Sequence, residues 1–315
     1  MLEVKNLHKE FVNKIAVNDI SFTVNKGEIF GLLGPNGAGK TTTIRMILNI
    51  ILPDSGVVLF DGKPFTEETK NLVGYLPEER GLYQKNKLFD TITYFGSLKN
   101  LKISEIKNSA NYWLKKFELA GNEGRKIEEL SKGNQQKVQF IISVLHNPDM
   151  IILDEPFSGF DPVNQDLLKE ILIELKNNGK TIIFSTHQME QVEKLCDNIC
   201  LINNGEIILS GKLTEIKKNY GNDSIIIEFS GDGSFIKDFK GIKHCNIFEN
   251  YAEIIVNNDF SVKSFLDEAN KKIDIRKFQI TEPSLHSIFI EKVGNASKVK
   301  EVISWDYQKY YRLLN

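Results

Sequence analysis

Short runs of consecutive apolar residues recur along the chain, and between them apolar residues are spaced three or four positions apart. Residues 29–33, 150–153 and 182–184 are such runs, and their length is typical of strands buried on both faces of a sheet. The spacing of three or four positions predicts amphipathic helices between these strands. Strands that alternate with helices in this way predict an α/β fold.

Two other parts of the chain follow different patterns. Apolar residues roughly alternate in residues 2–7 and 17–24, and the run 57–60 precedes the turn signal Asp61-Gly62, so short antiparallel strands are expected there. From about residue 88 to residue 146 the pattern is mainly helical. The residues that fit one amphipathic helix in this block are Ile103, Ile106, Ala110, Trp113, Leu114 and Phe117.

Beyond residue 220 a second, smaller α/β pattern begins. Strands are predicted at 224–229, 252–256 and 273–280, with helices at 262–271 and 282–291. Residues 302–315 again carry apolar residues at helical spacing. The predicted domains are therefore 1–220, a small α/β extension at 221–296 and a helical tail at 297–315.

Composition narrows the class of protein. The chain has 315 residues, of which 41% are hydrophobic and 26% are charged, and its formal net charge is -2; this is a soluble globular mix that gives no support for nucleic-acid binding. Cys196, Cys200 and Cys245 form no metal-ligand pattern, which predicts a reducing cytoplasm. We find neither a signal peptide pattern nor 18 consecutive apolar residues, so any membrane role is expected to be by association.

A glycine-rich segment follows the apolar run 29–33 and has the pattern G-x-x-x-x-G-K-[ST]. Its residues are Gly34, Pro35, Asn36, Gly37, Ala38, Gly39, Lys40, Thr41 and Thr42. The glycines allow the backbone to curl so that N–H groups point inward as an anion cradle at the positive end of a helix dipole. Lys40 is expected to reach the β and γ phosphates of a nucleotide, and the Thr41 hydroxyl is expected to hold Mg²⁺.

Three further candidates stand just beyond predicted strands. Asp154 and Glu155 end the strand 150–153, and the carboxyl ends of strands are where α/β sheets place ligands. Asp154 has the position of a Mg²⁺-holding carboxylate, and Glu155 is placed to accept a proton from an attacking water. His187 follows the strand 181–186, which favours a hydrogen bond to a γ-phosphate over a purely structural role.

Two more segments are candidates for contact with a nucleotide. Ser131 and Gly133 precede a helix predicted at 136–145, where they would cap the helix and expose free N–H groups. Phe11 is an aromatic residue in a polar surround. It fits equally well an adenine-stacking residue and a strand residue that packs inward.

Taken in order, these motifs make the first 215 or so residues resemble the nucleotide-binding cassette of the ABC (ATP-binding cassette) family. The segment 130–134 resembles the family's signature, Asp154-Glu155 its acidic pair and 158–162 its D-loop. His187 resembles the switch histidine, and Phe11 the adenine-stacking aromatic. The resemblance implies a P-loop NTPase with a RecA-like core, an antiparallel β subdomain and a helical signature subdomain at about 88–146.

The resemblance also implies an ATPase mechanism with ATP and Mg²⁺ as cofactors. Two cassettes would pair head to tail around two ATP molecules, so that one protomer's signature meets the nucleotide of the other. The residues expected to bind nucleotide in addition to Phe11 and the phosphate loop are Ser131, Gly133, Asn134 and Asp161. The expected catalytic residues are Glu155, His187, Glu78 and Lys40, and the expected Mg²⁺ ligands are Thr41, Asp154 and Glu78.

Two positions depart from the family pattern. Glu78 stands where the family usually has Gln; a carboxylate still ligates Mg²⁺ or positions water, but it adds negative charge near the acidic pair. The signature has Lys132 and Asn134 where the family usually has Gly and Gln or Met. Because Ser131 and Gly133 are kept, we expect activity.

The segment 78–83 and the C-terminal extension resemble those of cassettes that serve ABC-2-type exporters. The leading prediction is therefore the ATPase subunit of an ABC transporter, a homodimer working in export. It would bind a separate integral membrane permease through residues 81–89, at the cytoplasmic face of the cell membrane. The alternative is a soluble, non-transport ABC ATPase acting on ribosomes or nucleic acid. Such proteins usually have two cassettes or long coiled-coil inserts, and the sequence shows neither.

Overall fold

The computed structural model describes residues 1–79, 81–219, 224–257 and 259–293, and it divides the chain into two compact units. The first unit is Met1–Gly211, and the second begins at Lys212; the sequence-based boundary was nine residues later, at 220. The tail predicted at 297–315 lies outside the described residues. Among the described residues, no helix is long and apolar enough to cross a membrane.

The first unit contains ten strands and seven α-helices in the residues described. In chain order they are β1 Leu2–Phe11, β2 Lys14–Val24, β3 Ile29–Leu33, α1 Lys40–Ile47, β4 Ser55–Phe60, β5 Lys63–Pro64, α2 Glu67–Lys70, β6 Val73–Leu76, α3 Leu88–Leu98, α4 Ile103–Lys116, α5 Lys132–Val144, β7 Met150–Asp154, α6 Pro162–Asn177, β8 Thr181–Thr186, α7 Met189–Leu195, β9 Asn198–Asn203 and β10 Glu206–Lys212.

A six-stranded sheet in the order β10-β9-β3-β8-β7-β6 forms the centre of this unit. Every residue of β3, β7 and β8 is buried, as the apolar runs predicted, and these strands pair in parallel. The pairing sets Leu32 opposite Ser185, and Ser185 opposite Asp154. Because the three strands are in this register, the residues that follow them leave the sheet at the same edge.

A second sheet, in the order β2-β1-β4-β5, is antiparallel, as the alternating pattern predicted. The predicted turn at Asp61-Gly62 has positive φ at both residues (50° and 76°) and joins β4 to β5, which is the geometry of a two-residue hairpin. Phe22 of β2 stacks on Phe30 of β3 at 5.2 Å between ring centroids, so the two sheets share one core.

The helical block consists of α3, α4 and α5. Its core holds an aromatic cluster in which Trp113 of α4 and Phe117, the residue that follows α4, pack on Phe140 of α5, at 6.2 and 5.4 Å between ring centroids. Helix α5 begins at Lys132, four residues before the predicted start. The start was misplaced because Gly133 and Asn134 are poor helix formers; Ser131 compensates by accepting a hydrogen bond from the Asn134 N–H at 3.2 Å.

The second unit is a four-stranded antiparallel sheet with helices. Its elements are α8 Leu213–Asn219, β11 Ser224–Gly231, β12 Ile242–Ile247, β13 Tyr251–Val256, α9 Val262–Lys272, β14 Ile273–Thr281 and α10 Leu285–Val293, with strand order β12-β13-β11-β14. Phe265 of α9 is fully buried against the sheet. β12 was not predicted, because this edge strand is polar in its middle and only half-buried along most of its length.

Candidate functional site

The loop between β3 and α1 has a backbone that only glycine can form at two places. Gly34 has φ 153°, and a Cβ atom there would lie 2.1 Å from the Ile202 carbonyl oxygen. Gly39 has φ 110°, and a Cβ atom there would lie 2.4 Å from the Ala16 carbonyl oxygen. These close approaches fold the loop back on the sheet and direct it into the N-terminus of α1. The geometry is that of an anion-binding loop.

Lys40, the first residue of α1, is buried, and its ammonium points back into this loop. Its Nζ donates hydrogen bonds to the carbonyl oxygens of Gly34 (2.7 Å) and Pro35 (3.2 Å), and it lies 3.5 Å from Oε1 of Glu155. Neutral carbonyls are weaker partners for an ammonium than an anion is. The ammonium is therefore positioned to exchange these bonds for a phosphate oxygen.

A cavity of about 330 Å³ opens over the loop. It is lined by Phe11, Lys14, Ala16, Asn36, Gly37, Ala38, Gly39, Lys40, Thr41, Thr42, Glu78 and Glu155. The aromatic ring of Phe11 is 45% exposed, and the Lys9 ammonium lies 5.5 Å from its centroid. One cavity thus combines an exposed aromatic face with a cationic, amide-rich loop, which fits a base at one end and phosphates at the other.

Asp154, at the end of β7, has a carboxylate that is only partly satisfied. Its Oδ1 accepts a hydrogen bond from the Ser185 hydroxyl, while the buried Oδ2 has no hydrogen-bond partner in the part of the chain described. Burial raises the pKa of Asp154, and favourable interactions with the Ser185 and Thr41 side chains partly oppose that rise. An unpartnered carboxylate oxygen beside a hydroxyl fits a divalent cation.

The described residues hold no cluster of three or more His, Cys, Asp or Glu side chains placed to bind a metal ion. Asp154 and Thr41 nevertheless fit a cation that takes one or two ligands from a protein and the others from water and phosphate oxygens. This is the arrangement that Mg²⁺ usually adopts.

Glu155 adopts an unusual backbone conformation that aims its side chain into the cavity. Its φ is 49°, in the left-handed region that non-glycine residues rarely occupy. The Glu155 N–H donates to both the carbonyl (3.2 Å) and the hydroxyl (3.1 Å) of Ser185. Its Oε1 lies 3.0 Å from Nδ1 of His187. The carboxylate therefore stands between an imidazole and the Lys40 ammonium.

The sequence-predicted residues divide into two groups in the structure. Phe11, the loop from Asn36 to Thr42, Glu78 and Glu155 line one cavity, with His187 and Asp154 in contact with its members. The cavity lining does not include Ser131, Gly133, Asn134 or Asp161. Ser131 caps α5, and Asp161 caps α6 by accepting the Asn164 N–H at 2.9 Å, a bond that lowers the pKa of Asp161.

Three residues of the site were not singled out from the sequence. Lys14 and Ala16, at the start of β2, line the cavity, and Ser185 of β8 orients Asp154. Ser185 could have been found from its place in a buried strand beside the acidic pair, because a hydroxyl buried there needs a partner. The positions of Lys14 and Ala16 depend on how the antiparallel sheet packs and have no local signal.

A phosphate loop after β3, an acidic pair at the end of β7 in the same parallel part of the sheet, and an exposed aromatic residue define a P-loop nucleotide-binding domain. A model of the family described as "ABC transporter" matches residues 17–158, and one described as "ATP-binding protein DrrA1-3-like, C-terminal domain" matches residues 211–293. The chain belongs to the family of ABC transporter ATP-binding proteins.

Individual relatives extend the match to most of the chain. The ABC transporter ATP-binding protein YhaQ of Bacillus subtilis (strain 168) is 45% identical over 295 residues, covering 93% of this chain and 99% of YhaQ. The linearmycin resistance ATP-binding protein LnrL of the same organism is 34% identical over 306 residues, covering 93% and 98%. The solved "Structure of ATP binding subunit of ABC transporter" has a TM-score of 0.65 and 31% identity, covering 70% of this chain and 93% of that one.

These matches confirm the predicted P-loop fold and its C-terminal domain, and they confirm the prediction of an ATP-binding subunit of an ABC transporter. They favour this prediction over the soluble, non-transport alternative.

We predict that Phe11→Ala weakens binding of ATP by about tenfold, because stacking of a base on an aromatic ring contributes about 1–3 kcal/mol. Binding of inorganic tripolyphosphate, which has no base, should not change. Titration of both ligands by calorimetry measures the difference. Val12→Ala, at a neighbouring residue that is 93% exposed and does not line the cavity, is the matched control. Equal weakening of both ligands would show that Phe11 acts on the loop and not on the base.

Proposed function

We propose that this ATP-binding subunit hydrolyses ATP with Mg²⁺, in a dimer of two identical chains, and so drives export through a separate membrane subunit. The observation that carries the proposal is the position of the Glu155 carboxylate. It lies 3.0 Å from the His187 imidazole and 3.5 Å from the Lys40 ammonium, in the cavity that the phosphate loop forms. A carboxylate at that place serves hydrolysis, whereas tight binding of a polyanion alone would be better without it.

The charged residues of the cavity have separate roles in this proposal. Lys40 and the loop amides bind the β and γ phosphates and offset the negative charge that grows during transfer. Thr41 and Asp154 would hold Mg²⁺, which would supply further positive charge to the phosphates when bound. Glu78 is exposed at the edge of the cavity, where it positions water or contributes an outer ligand for the cation.

Glu155 and His187 act on the attacking water and on the γ-phosphate. Glu155 Oε1 orients the water and accepts its proton, because the left-handed backbone at this residue turns the side chain toward the cavity. The His187 imidazole contacts the same carboxylate through Nδ1. It holds Glu155 in place and donates to the γ-phosphate once a nucleotide is bound.

A second copy of the chain completes the site in this proposal. Ser131 and Gly133 stand at the N-terminus of α5, outside the cavity of their own chain, and Ser131 is exposed. Free N–H groups and the positive end of the helix dipole at such a terminus favour an anion. The partner's γ-phosphate is the anion that the family's head-to-tail pairing would bring to this terminus.

The membrane subunit is proposed to dock in an apolar groove of about 400 Å³. Its lining includes Ile50 and Leu98, which are 56% and 59% exposed, together with Leu82 of the predicted docking segment 81–89. Large apolar side chains exposed side by side mark interaction surfaces. Docking there would place this chain at the cytoplasmic face of the cell membrane. The similarity to the Nod factor export ATP-binding protein I of Burkholderia lata, which is 35% identical over 213 residues, supports export.

We predict that Glu155→Gln lowers the rate of ATP hydrolysis by about 100-fold or more, since the amide can orient water but cannot accept its proton. ATP binding should persist, so the variant should accumulate as a dimer with MgATP. Release of phosphate measures the rate of hydrolysis. Light scattering coupled to gel filtration, with and without MgATP, measures the fraction of the protein that is dimeric. Glu170→Gln changes an exposed residue of α6. This variant is the control and should behave as the wild type does. Full hydrolysis by the Glu155→Gln protein would contradict the assignment.

We further predict that the Glu155→Gln protein, purified in mild detergent with ATP, carries a polytopic membrane protein in stoichiometric amount. Adding Leu98→Asp should abolish this association, because the charge lies in the apolar groove. Adding Ile173→Asp, at an exposed residue of α6 outside the groove, should preserve it. Co-purification of ribosomes or nucleic acid without a membrane protein would instead support the soluble alternative.

A further inference from the structure

The segment 155–161, which joins β7 to α6, begins with Glu155 and ends with Asp161; we call it the acidic loop. Two of its carbonyl oxygens accept hydrogen bonds from glutamine side chains of neighbouring helices. Gln136 of α5 donates through Nε2 to the Pro156 oxygen at 2.8 Å, and Gln165 of α6 donates through Nε2 to the Phe160 oxygen at 3.2 Å. The backbone of the acidic loop is thus fixed near both of its ends.

Gln165 is itself held by a second glutamine. Nε2 of Gln191, on α7, donates to Oε1 of Gln165 at 3.0 Å. The direction of this pair of bonds follows from the carbonyl at its end: the Phe160 oxygen can only accept, so Gln165 must present its NH₂ group there and its oxygen to Gln191. Gln191 is only 5% exposed, and its own Oε1 has no partner among the described residues. Burial of the unpaired Gln191 oxygen is unfavourable. The hydrogen bond that Gln191 donates to Gln165 is the favourable interaction that offsets part of this cost.

The bonds link the acidic loop to the segment that carries His187. Helix α7 begins at Met189, two residues after His187, and Gln191 lies in its first turn. Within the acidic loop, the Phe160 N–H bonds the Phe157 oxygen (3.3 Å) and the Ser158 N–H bonds the Glu155 oxygen (3.1 Å). A displacement of the Phe160 carbonyl therefore reaches the backbone of Glu155 through two successive turns.

The two connections between Glu155 and His187 form a closed ring. On one side the side chains meet directly, at 3.0 Å. On the other side the path runs from His187 along α7 to Gln191, across to Gln165, and back through the Phe160 carbonyl to Glu155. Hydrogen-bond networks and rigid helices are elements through which two segments of a protein can be coupled, and the longer of these two paths consists of both.

We propose that Gln165 and Gln191 are positioning residues for ATP hydrolysis: their hydrogen bonds couple the His187 segment to the acidic loop and hold the Glu155 carboxylate in register with the imidazole. This inference rests on the proposed hydrolytic function. Neither glutamine lines the nucleotide cavity, so neither touches the reacting atoms. Their effect is expected on the rate of the chemical step and not on nucleotide binding.

The test compares Gln165→Leu, Gln191→Leu and the double variant in the full-length chain. Each single variant should lower kcat about three- to tenfold, the effect of losing one hydrogen bond, with KM for ATP unchanged. The double variant should be no worse than the poorer single variant, because both changes break one path. Ser109→Ala removes a hydrogen bond of α4 to the Leu145 carbonyl (2.9 Å) and is the structural control: it should lower Tm without lowering kcat.

A charge-bearing pair tests the direction of the bonds. Gln191→Glu places an acceptor against the Gln165 oxygen, so it should lower kcat as Gln191→Leu does. Adding Gln165→Lys supplies an ammonium that can donate to both the new carboxylate and the Phe160 carbonyl. The protein that carries both Gln191→Glu and Gln165→Lys should therefore regain most of the kcat that Gln191→Glu alone loses. Unchanged kcat in the Leu variants, or losses that simply add, would overturn the proposal while hydrolysis by the wild type stands.

A second readout is independent of turnover. Hydrogen exchange measured by mass spectrometry should show faster exchange of amides 157–161 in Gln191→Leu than in the wild type, with no change in the control Ser109→Ala. Equal exchange would overturn the coupling whatever the activity. If the wild type does not hydrolyse ATP at all, the proposed function fails separately, and faster exchange in Gln191→Leu still shows the physical link.

Discussion

The parallel pairing of β3, β7 and β8 is the constraint on which the site depends. Leu32, Ser185 and Asp154 stand in one row across these strands, so the phosphate loop, the acidic pair and His187 all leave the sheet at the same edge. A slip of one residue would turn Asp154 to the other face of the sheet and separate it from Thr41.

Buried charges and a strained backbone residue lie together at this edge of the sheet. They are tolerated because the surrounding core holds their partners in place. Lys40, Asp154 and Glu155 are all at least nine-tenths buried, which would be unfavourable for isolated charges. Here each has a partner: loop carbonyls for Lys40, a hydroxyl for Asp154, and an imidazole for Glu155. The left-handed backbone of Glu155 is tolerated because Ser185 binds its N–H twice. The glutamines proposed as positioning residues extend this support to the far end of the acidic loop.

Features with a local cause could be predicted from the sequence. The buried strands appear as apolar runs, and the hairpin at Asp61-Gly62 follows from residues that accept positive φ. The phosphate loop is recognisable because glycine is required where Gly34 and Gly39 approach other backbone segments. Features that depend on long-range packing were missed. Lys14 reaches the cavity only through the position of a second sheet, and Gln165 meets Gln191 across 26 residues of sequence.

The central claim is that each hydrolytic site joins the phosphate loop of one chain to the signature helix of another. Mixing Lys40→Ala protein with Ser131→Arg protein tests it directly, with ATP hydrolysis as the measurement. Each variant alone is expected to be inactive, whereas a mixed dimer has one site with both segments intact. Random pairing of equal amounts should then restore about a quarter of the wild-type rate. If the mixture stays as inactive as its components, the site is not shared between chains and the account is wrong.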